Sequence, residues 1–408
     1  MSNYHLIVFG ATSFVGQLLT RYLFERHGVD GELSWAIAGR SAAKLSEVRA
    51  ALGTKASKLP ILLANADDGS SLLALCQQTR VVVSTVGPYA LYGSPLVKVC
   101  AESGTDYCDL TGEAQWIAEM LAAYEDTAKR TGARIVHCSG FDSIPSDLGT
   151  YFLQKKSKEL FGQYCTRVKM RVKAMKGGLS GGTVASMIHI ITEAAKDKTL
   201  RRLLNDPFAL CPATDVKRPR QPNVTFATYD PDAKAWMFPF IMAAINSKIV
   251  HRTHALSGYV YGQDFVYDEA MLTGDGLKGR AAATAASLAV AGAFTAIALP
   301  PTRVLMSRYV VPKPGEGPSP EEQAKGFYDI RFIGRTATDK TLTVKVTGDR
   351  DPGYGSTAKI LGEAAVCLAL DVAKTDQAGG FWTPASLMGD QLISRLEKYA
   401  GLSFSVVN

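Results

Sequence analysis

Tyr4-His-Leu-Ile-Val-Phe-Gly10-Ala-Thr-Ser-Phe-Val-Gly16 opens the chain and decides its architecture. An apolar run of strand length ends at a glycine, and a second glycine follows in a Gly-x5-Gly spacing. Phe14, Leu18, Leu19 and Leu23 then recur at helical spacing. A strand that turns through glycine straight into a helix is the first unit of a doubly wound sheet.

The pattern repeats outward from there. Leu33–Ala38, Leu59–Leu63, Val81–Ser84, Tyr107–Asp109 and Arg134–Cys138 read as short apolar strands. Helical stretches at Ala42–Leu52, Ser70–Gln78, Pro95–Ser103 and Ala114–Arg130 lie between them. Near-continuous apolar strands alternating with helices predict a parallel sheet covered on both faces. Beyond residue 146 the period changes. Arg167–Met175, Gly258–Asp268, Gly326–Gly334 and Lys340–Gly348 alternate like half-exposed antiparallel strands, and a helix is expected after Gly181–Thr183. Pro212–Pro222 and Pro312–Pro320 read as loops, and Ser356–Ala373 and Pro384–Ala400 as helices. The predicted fold class is α/β, a Rossmann-type doubly wound parallel sheet with an inserted α+β unit.

Composition agrees with this size of architecture. The chain has 408 residues, 47% hydrophobic and 20% charged, which excludes a disordered or low-complexity polymer. The formal charge of +7 is modest for the length and selects no partner by itself. Cys76, Cys100, Cys108, Cys138, Cys165, Cys211 and Cys367 are scattered, without a C-x-x-C pair, which predicts reduced thiols in a cytoplasmic protein. No zinc spacing or H-E-x-x-H occurs, so no metal is expected. No aromatic or recognition-helix motif points to nucleic acid. The N-terminus lacks the features of a cleaved leader. Residues 281–299 carry no charge and are long enough to span a bilayer. Their alanine content favours a buried or interface helix, with membrane-surface contact as the second reading and a span as the third.

Gly10, Thr12, Ser13, Phe14, Val15 and Gly16 form a phosphate loop: a glycine turn aims the free N–H groups of a helix start at a pyrophosphate. At the end of the second strand an NAD site would carry Asp or Glu for the ribose 2′-hydroxyl. This chain has Gly39-Arg40-Ser41 instead, with Lys44 one turn on. A guanidinium and a hydroxyl suit a 2′-phosphate, so NADP(H) is the expected cofactor. Asp67 and Asp68 follow the third strand, where either can approach an adenine edge or cap the next helix.

Val86-Gly87-Pro88-Tyr89 begins a more specific set of motifs. With Tyr92-Gly93, Asp109-Leu-Thr-Gly-Glu113 and Gly140-Phe-Asp-Ser-Ile-Pro-Ser-Asp147, it resembles the saccharopine dehydrogenase-like oxidoreductases, in the branch with the trans-acting enoyl reductases. The resemblance continues through Lys176–Thr183, Pro314–Pro318, Asp351–Tyr354 and Gly379–Ala385. It implies a nucleotide-binding unit at residues 1–146 and 350–408, and a substrate and dimerisation unit at 147–349, hence a homodimer. It also implies that Val86, Gly87, Pro88 and Tyr89 run along the cofactor toward the nicotinamide, with Ser139–Ser146 facing them.

Hydride transfer is cofactor chemistry, so the protein has to supply position and a proton. Tyr89 and Asp142 are the candidate donors. Tyr92, Asp109 and Glu113 stand nearby, the carboxylates doubling as caps or loop anchors. Tyr151 and Lys155 form a Y-x-x-x-K spacing with Ser139 upstream, the arrangement of a different dehydrogenase class. The basic strand Arg167–Lys173 suits either solvent or an anionic ligand. Three functions stay open at this level. The first is a reductase of a lipid-linked enoyl substrate, with peripheral membrane contact through 281–299. The second is an amino-acid reductase of saccharopine type. The third is a non-catalytic NADP-binding scaffold at a lipid surface.

Overall fold

The computed structural model describes residues 3–177, 181–215, 217–299 and 317–407. Parts of two resembling motifs, at 178–180 and 314–316, lie outside the described residues, as does most of the expected loop at 312–320.

The first sheet is entirely parallel. Its strands are β1 (Tyr4–Phe9), β2 (Trp35–Gly39), β3 (Ile61–Leu63), β4 (Thr79–Ser84), β5 (Asp106–Asp109), β6 (Arg134–Val136) and β13 (Gly380–Trp382). Their order is β13-β6-β5-β4-β1-β2-β3. The chain starts in the middle, runs out to β3, and jumps back to lay β4 on the other side of β1. Phe9 is therefore flanked by Ala38 and by Ser84. The strand order reverses between β1 and β4, and ligands of such sheets bind in the crevice beyond the carboxyl ends at that reversal. Leu6, Ile7, Val8, Val81, Val82 and Val83 are fully buried, as expected for strands covered on both faces.

Helices α1 (Phe14–His27), α2 (Ala42–Ala51), α3 (Gly69–Cys76), the single turn α4 (Tyr89–Tyr92), α5 (Ser94–Ser103) and α6 (Ala114–Thr131) cover this sheet. Helix α7 (Ile144–Phe161) leads out of it. The second sheet holds β7 (Cys165–Lys176), β8 (Thr228–Asp230), β9 (Ala235–Pro239), β10 (Val266–Gly274), β11 (Phe327–Thr336), β12 (Thr341–Gly348) and β14 (Leu402–Val406). Its order is β14-β12-β11-β7-β10-β9-β8. Helices α8 (Gly181–Lys196), α9 (Lys198–Asn205), α10 (Ala243–Leu256), α11 (Gly276–Ala298) and α12 (Pro320–Ala324) belong to this half of the chain. Helices α13 (Thr357–Leu370) and α14 (Pro384–Arg395) follow it.

Three expectations are corrected. The alternating residues 258–265 form a turn rather than a strand. Tyr261 stacks on His254 and Phe265 packs beside both, so the alternation serves an aromatic cluster. The strand is shifted to Val266–Gly274 and pairs parallel, not antiparallel, with β7. The C-terminal segment divides between the sheets: α13 packs on β1, β4 and β5, but β14 adds to the second sheet beside β12. Leu402, Phe404 and Val406 share one face of β14, the period that suits an edge strand with one buried side. Helix α11, charged only at Lys278 and Arg280 in its first turns, does not take the buried form of the expected buried or interface helix. Gly279, Ala283, Ser287 and Ile297 are its buried positions, and most of its surface is exposed in the single chain.

Candidate functional site

At the carboxyl ends of β1 and β4 the chain builds a closed turn. Gly10 has φ +90, and a Cβ there would lie 2.6 Å from Val86 Cγ2. A Cβ on Gly16 would collide with the Gly10 carbonyl oxygen. Both positions therefore require glycine. Ser13 caps α1: its Oγ accepts from the Gly16 N–H at 2.9 Å and donates to Thr85 Oγ1 at 3.0 Å. Thr85 in turn donates to the Gly10 carbonyl at 2.9 Å. The loop after β1 is thus locked to the loop after β4. The next amides, on Phe14 and Val15, have no acceptor within the helix, and Thr12 and Val15 stay partly exposed. A helix start with open amides and no side chain at its glycines is a cradle for a pyrophosphate.

The end of β2 presents its side chains to the same crevice rim. Gly39 is buried and Arg40 is exposed, with no ion pair among the described residues. Ser41 caps α2 by accepting from the Lys44 N–H at 3.4 Å, and the Lys44 side chain is exposed. No carboxylate occupies the position that an unphosphorylated ribose would need. After β3, Asp68 is the cap of α3, accepting from Ser70, whereas Asp67 stays exposed. These residues fit an adenosine 2′-phosphate.

Toward β5 and β6 the candidates separate. Gly87 is exposed and Pro88 half-buried. Tyr89 is buried, and its hydroxyl donates to the Ser84 carbonyl at 3.0 Å and accepts from the Leu110 N–H at 3.4 Å. Burial and the Asp109 carboxylate push its pKa well up. A phenol whose donor and acceptor are both engaged behind the loop is not placed to protonate a substrate. Tyr89 packs against Trp116 and supports the loop from beneath, which corrects its reading as a donor. Tyr92, one helical turn on, is exposed beside exposed Leu91.

Two carboxylates are anchors. Glu113 is fully buried and accepts from the Tyr89 and Ala90 N–H groups at 2.8 and 3.0 Å, so it caps α4. Its third partner is Ser186 Oγ of α8, at 2.9 Å. Asp109 accepts from Tyr107 Oη, the Thr111 and Cys138 amides and His137 Nδ1. It thereby ties the loop after β5 to the loop after β6. Asp142 differs from both. Its half-buried carboxyl has no hydrogen-bond partner among the described residues, and its Oδ2 lies 3.8 Å from where a Cβ on Gly112 would stand. Burial alone pushes its pKa up to about 6. An unpaired carboxyl that holds its proton near neutrality is suited to acid chemistry.

The competing Tyr–Lys pair lies elsewhere. Lys155 donates to Asp390 of α14 at 2.6 Å, and Tyr151 sits against Gly389. Both are therefore occupied at the packing of α7 on α14. In the basic strand, Lys169 and Arg171 are buried and ion-paired with Asp230, Asp232 and Asp268. They floor a 510 Å³ cleft on the second sheet whose charge is largely cancelled, and Arg167 remains exposed at it. Neither a solvated face nor a bare anion site describes Lys169 and Arg171.

Sequence reasoning gave no role to Thr85, Asn246, Tyr354 or Thr357. Tyr354 meets Phe14 of the phosphate loop edge-on at 4.8 Å, and Thr357 Oγ1 accepts from the Phe141 N–H at 2.9 Å. The Asp351-Pro-Gly-Tyr354 motif was the available signal, since a fixed turn near the chain's end has to serve something. Asn246 sits in a helix without a motif and offered none.

Comparison with known proteins agrees with this geometry. Residues 6–136 match the saccharopine dehydrogenase NADP-binding domain. A protein of Mycobacterium tuberculosis provisionally named a trans-acting enoyl reductase is 40% identical over 98% of this chain and 97% of its own. The trans-acting enoyl reductase of Mycobacterium ulcerans is 35% identical over 97% and 96%. Saccharopine dehydrogenase (L-Glu forming) of Saccharomyces cerevisiae shares the fold, with a TM-score of 0.54 at 12% identity over 99% of both chains. Full-length identity at this level, on a crevice shaped for NADP(H), settles the kinship: the chain belongs to the saccharopine dehydrogenase-like oxidoreductases, among the relatives of the trans-acting enoyl reductases, and is an NADP-dependent oxidoreductase.

Proposed function

We propose that the chain reduces the carbon–carbon double bond of an enoyl substrate, with Asp142 as the proton donor. Bound NADPH supplies a hydride. In the reduction that hydride adds to the β-carbon, the electron pair moves to the thioester or ester carbonyl, and a proton is taken up at the α-carbon. Asp142 is the group that holds such a proton. Its carboxyl is half-buried in the loop after β6 beside Gly112 and has no hydrogen-bond partner among the described residues, and this single observation carries the reading. The phosphate loop and Arg40 hold the cofactor, while Gly87 and Pro88 leave its path clear. Exposed Leu91 and Tyr92 on α4 suit an apolar acyl chain.

The lipid link of the substrate is supported by α11. That helix exposes Leu288, Phe294 and an uncharged alanine surface. A helix that is apolar all round is ordinarily covered, and a lipid surface is the cover that suits a reductase of greasy substrates.

The direct assay is NADPH oxidation with trans-2-enoyl thioesters of N-acetylcysteamine of increasing chain length. Turnover is expected to rise with chain length. Asp142→Asn should lower kcat by about 10²–10⁴-fold, the range for loss of a general acid, while NADPH still binds. Full activity in Asp142→Asn would remove it from the chemistry.

A further inference from the structure

We infer that Asn246 and Thr357 are positioning residues for Asp142, clamping the loop Ser139–Ser143 from opposite sides so that the carboxyl between the clamps stays unpaired and faces the crevice. The inference rests on the reading of Asp142 as proton donor.

Three consecutive residues are treated differently by the fold. The Phe141 N–H donates to Thr357 Oγ1 at 2.9 Å, and Ser143 Oγ donates to Asn246 Oδ1 at 2.9 Å. Asp142, between them, receives no hydrogen bond among the described residues. Ser143 occupies the cap position of α7, where serine ordinarily accepts from the helix's first free amides. Here it makes no such bond, and its hydroxyl reaches α10 instead. The residue type is the one a cap requires, yet the hydrogen bond serves the loop.

Both clamps are themselves held. Asn246 Nδ2 donates to Ser146 Oγ at 3.1 Å and to Glu269 Oε2 at 3.0 Å, and Tyr267 Oη donates to the other Glu269 oxygen at 2.6 Å. All of this lies within the interior, so the Asn246 amide has no competing water. On the other side, the Asp351 carboxylate accepts from the Tyr354 and Gly355 amides, forming the turn that delivers Thr357. The contact is close: a Cβ on Gly140 would lie 2.6 Å from Thr357 Oγ1.

The arrangement answers a physical problem. A half-buried carboxyl without a partner gains by turning toward an amide or further out into water. A loop free to relax would let it do so, and the acid would fall to its ordinary strength. Holding both neighbours removes that freedom. A Cβ on Gly112 would lie 3.8 Å from both Asp142 Oδ2 and Met242 Cε, and the Cys138 thiol on the same loop feels the Asp142 charge; none of these groups is a cation that would favour the carboxylate. A purely structural role would also explain buried hydrogen bonds, so the test must read Asp142 itself.

The test is carbon-13 NMR titration of aspartate carboxyls in the full-length chain with NADPH bound, the Asp142 resonance being assigned by its loss in Asp142→Asn. In the wild type it should titrate at about 6. In Asn246→Ala and Thr357→Val it should move down toward about 4, the ordinary carboxylate range. Thr357→Ser, which keeps the hydroxyl, should restore the wild-type value. If Asn246→Ala does not fold, Ser143→Ala removes the same clamp from the loop side. The inference is overturned if the folded variants titrate as the wild type does, or if wild-type Asp142 itself titrates near 4. A wild-type value near 6 that the variants lower, together with no reduction of any enoyl thioester, would support the clamps and defeat the catalytic reading separately.

Discussion

Arg40 carries the cofactor preference in a form that one substitution can test. It stands at the end of β2 with its side chain in solvent and no ion pair to a carboxylate among the described residues. A hydrogen bond to a charged group is worth about 1.5–3 kcal/mol. Arg40→Ala should therefore weaken NADPH binding by roughly 10- to 100-fold in a fluorescence titration and leave NADH almost unaffected. Asp142 makes a second prediction, in stability. Its pKa is raised in the folded protein to about 6 from 3.8, so the folded state holds the proton more tightly. That contribution is full below pH 4 and is lost as pH rises through 6. Two units at about 1.4 kcal/mol each set an upper limit near 3 kcal/mol, which partial exposure reduces. Asp142→Asn should then raise Tm at pH 8 and leave it unchanged at pH 4; equal shifts at both pH values would contradict the desolvation. The sequence made Arg40 legible because a missing carboxylate at a strand end is a local fact. It misassigned Tyr89, because whether a phenol faces a ligand or the backbone behind it depends on Ser84 and Leu110, which no spacing reveals.

At the level of elements, the phosphate loop is tightly constrained. Gly16→Ala would drive a methyl group into the Gly10 carbonyl, and backbone at both ends leaves little room to yield. The protein should lose NADPH binding and melt several degrees lower, read by calorimetry with and without cofactor. Ser13→Ala removes the cap of α1 and the bridge to Thr85, and should cost about 1 kcal/mol in urea unfolding. The βα units around this loop were readable because strand and helix periods differ and each unit is local in sequence. Helix α10 and strands β13 and β14 were not. A three-residue strand such as Gly380–Trp382 has too little pattern to detect, and β14 finds its place only by pairing with β12. Residues 258–265 show the reverse failure, where an aromatic cluster imitated the alternation of a strand.

For the whole molecule, helices of the second half meet the loops that follow β5 and β6. Ser186 of α8 grips Glu113, and Asn246 of α10 grips Ser143, so the second half of the chain holds loops of the first. That cooperation could not be read from motifs, which mark loops and not their supports. Helix α11 faces outward from the same half. If lipid covers it, the protein should float with liposomes in a density gradient, and Leu288→Glu with Phe294→Glu should abolish flotation without lowering Tm. A chain that ignores every lipid mixture and elutes as a dimer, which the double variant splits, would assign the face to a second copy. The central claim, however, is chemical, and NADPH oxidation at 340 nm with trans-2-enoyl thioesters between pH 5 and 9 tests it most directly. The account predicts turnover that is highest at low pH, falls as pH rises through about 6, and collapses in Asp142→Asn. Tight NADPH binding with no oxidation against any enoyl thioester at any pH would contradict it.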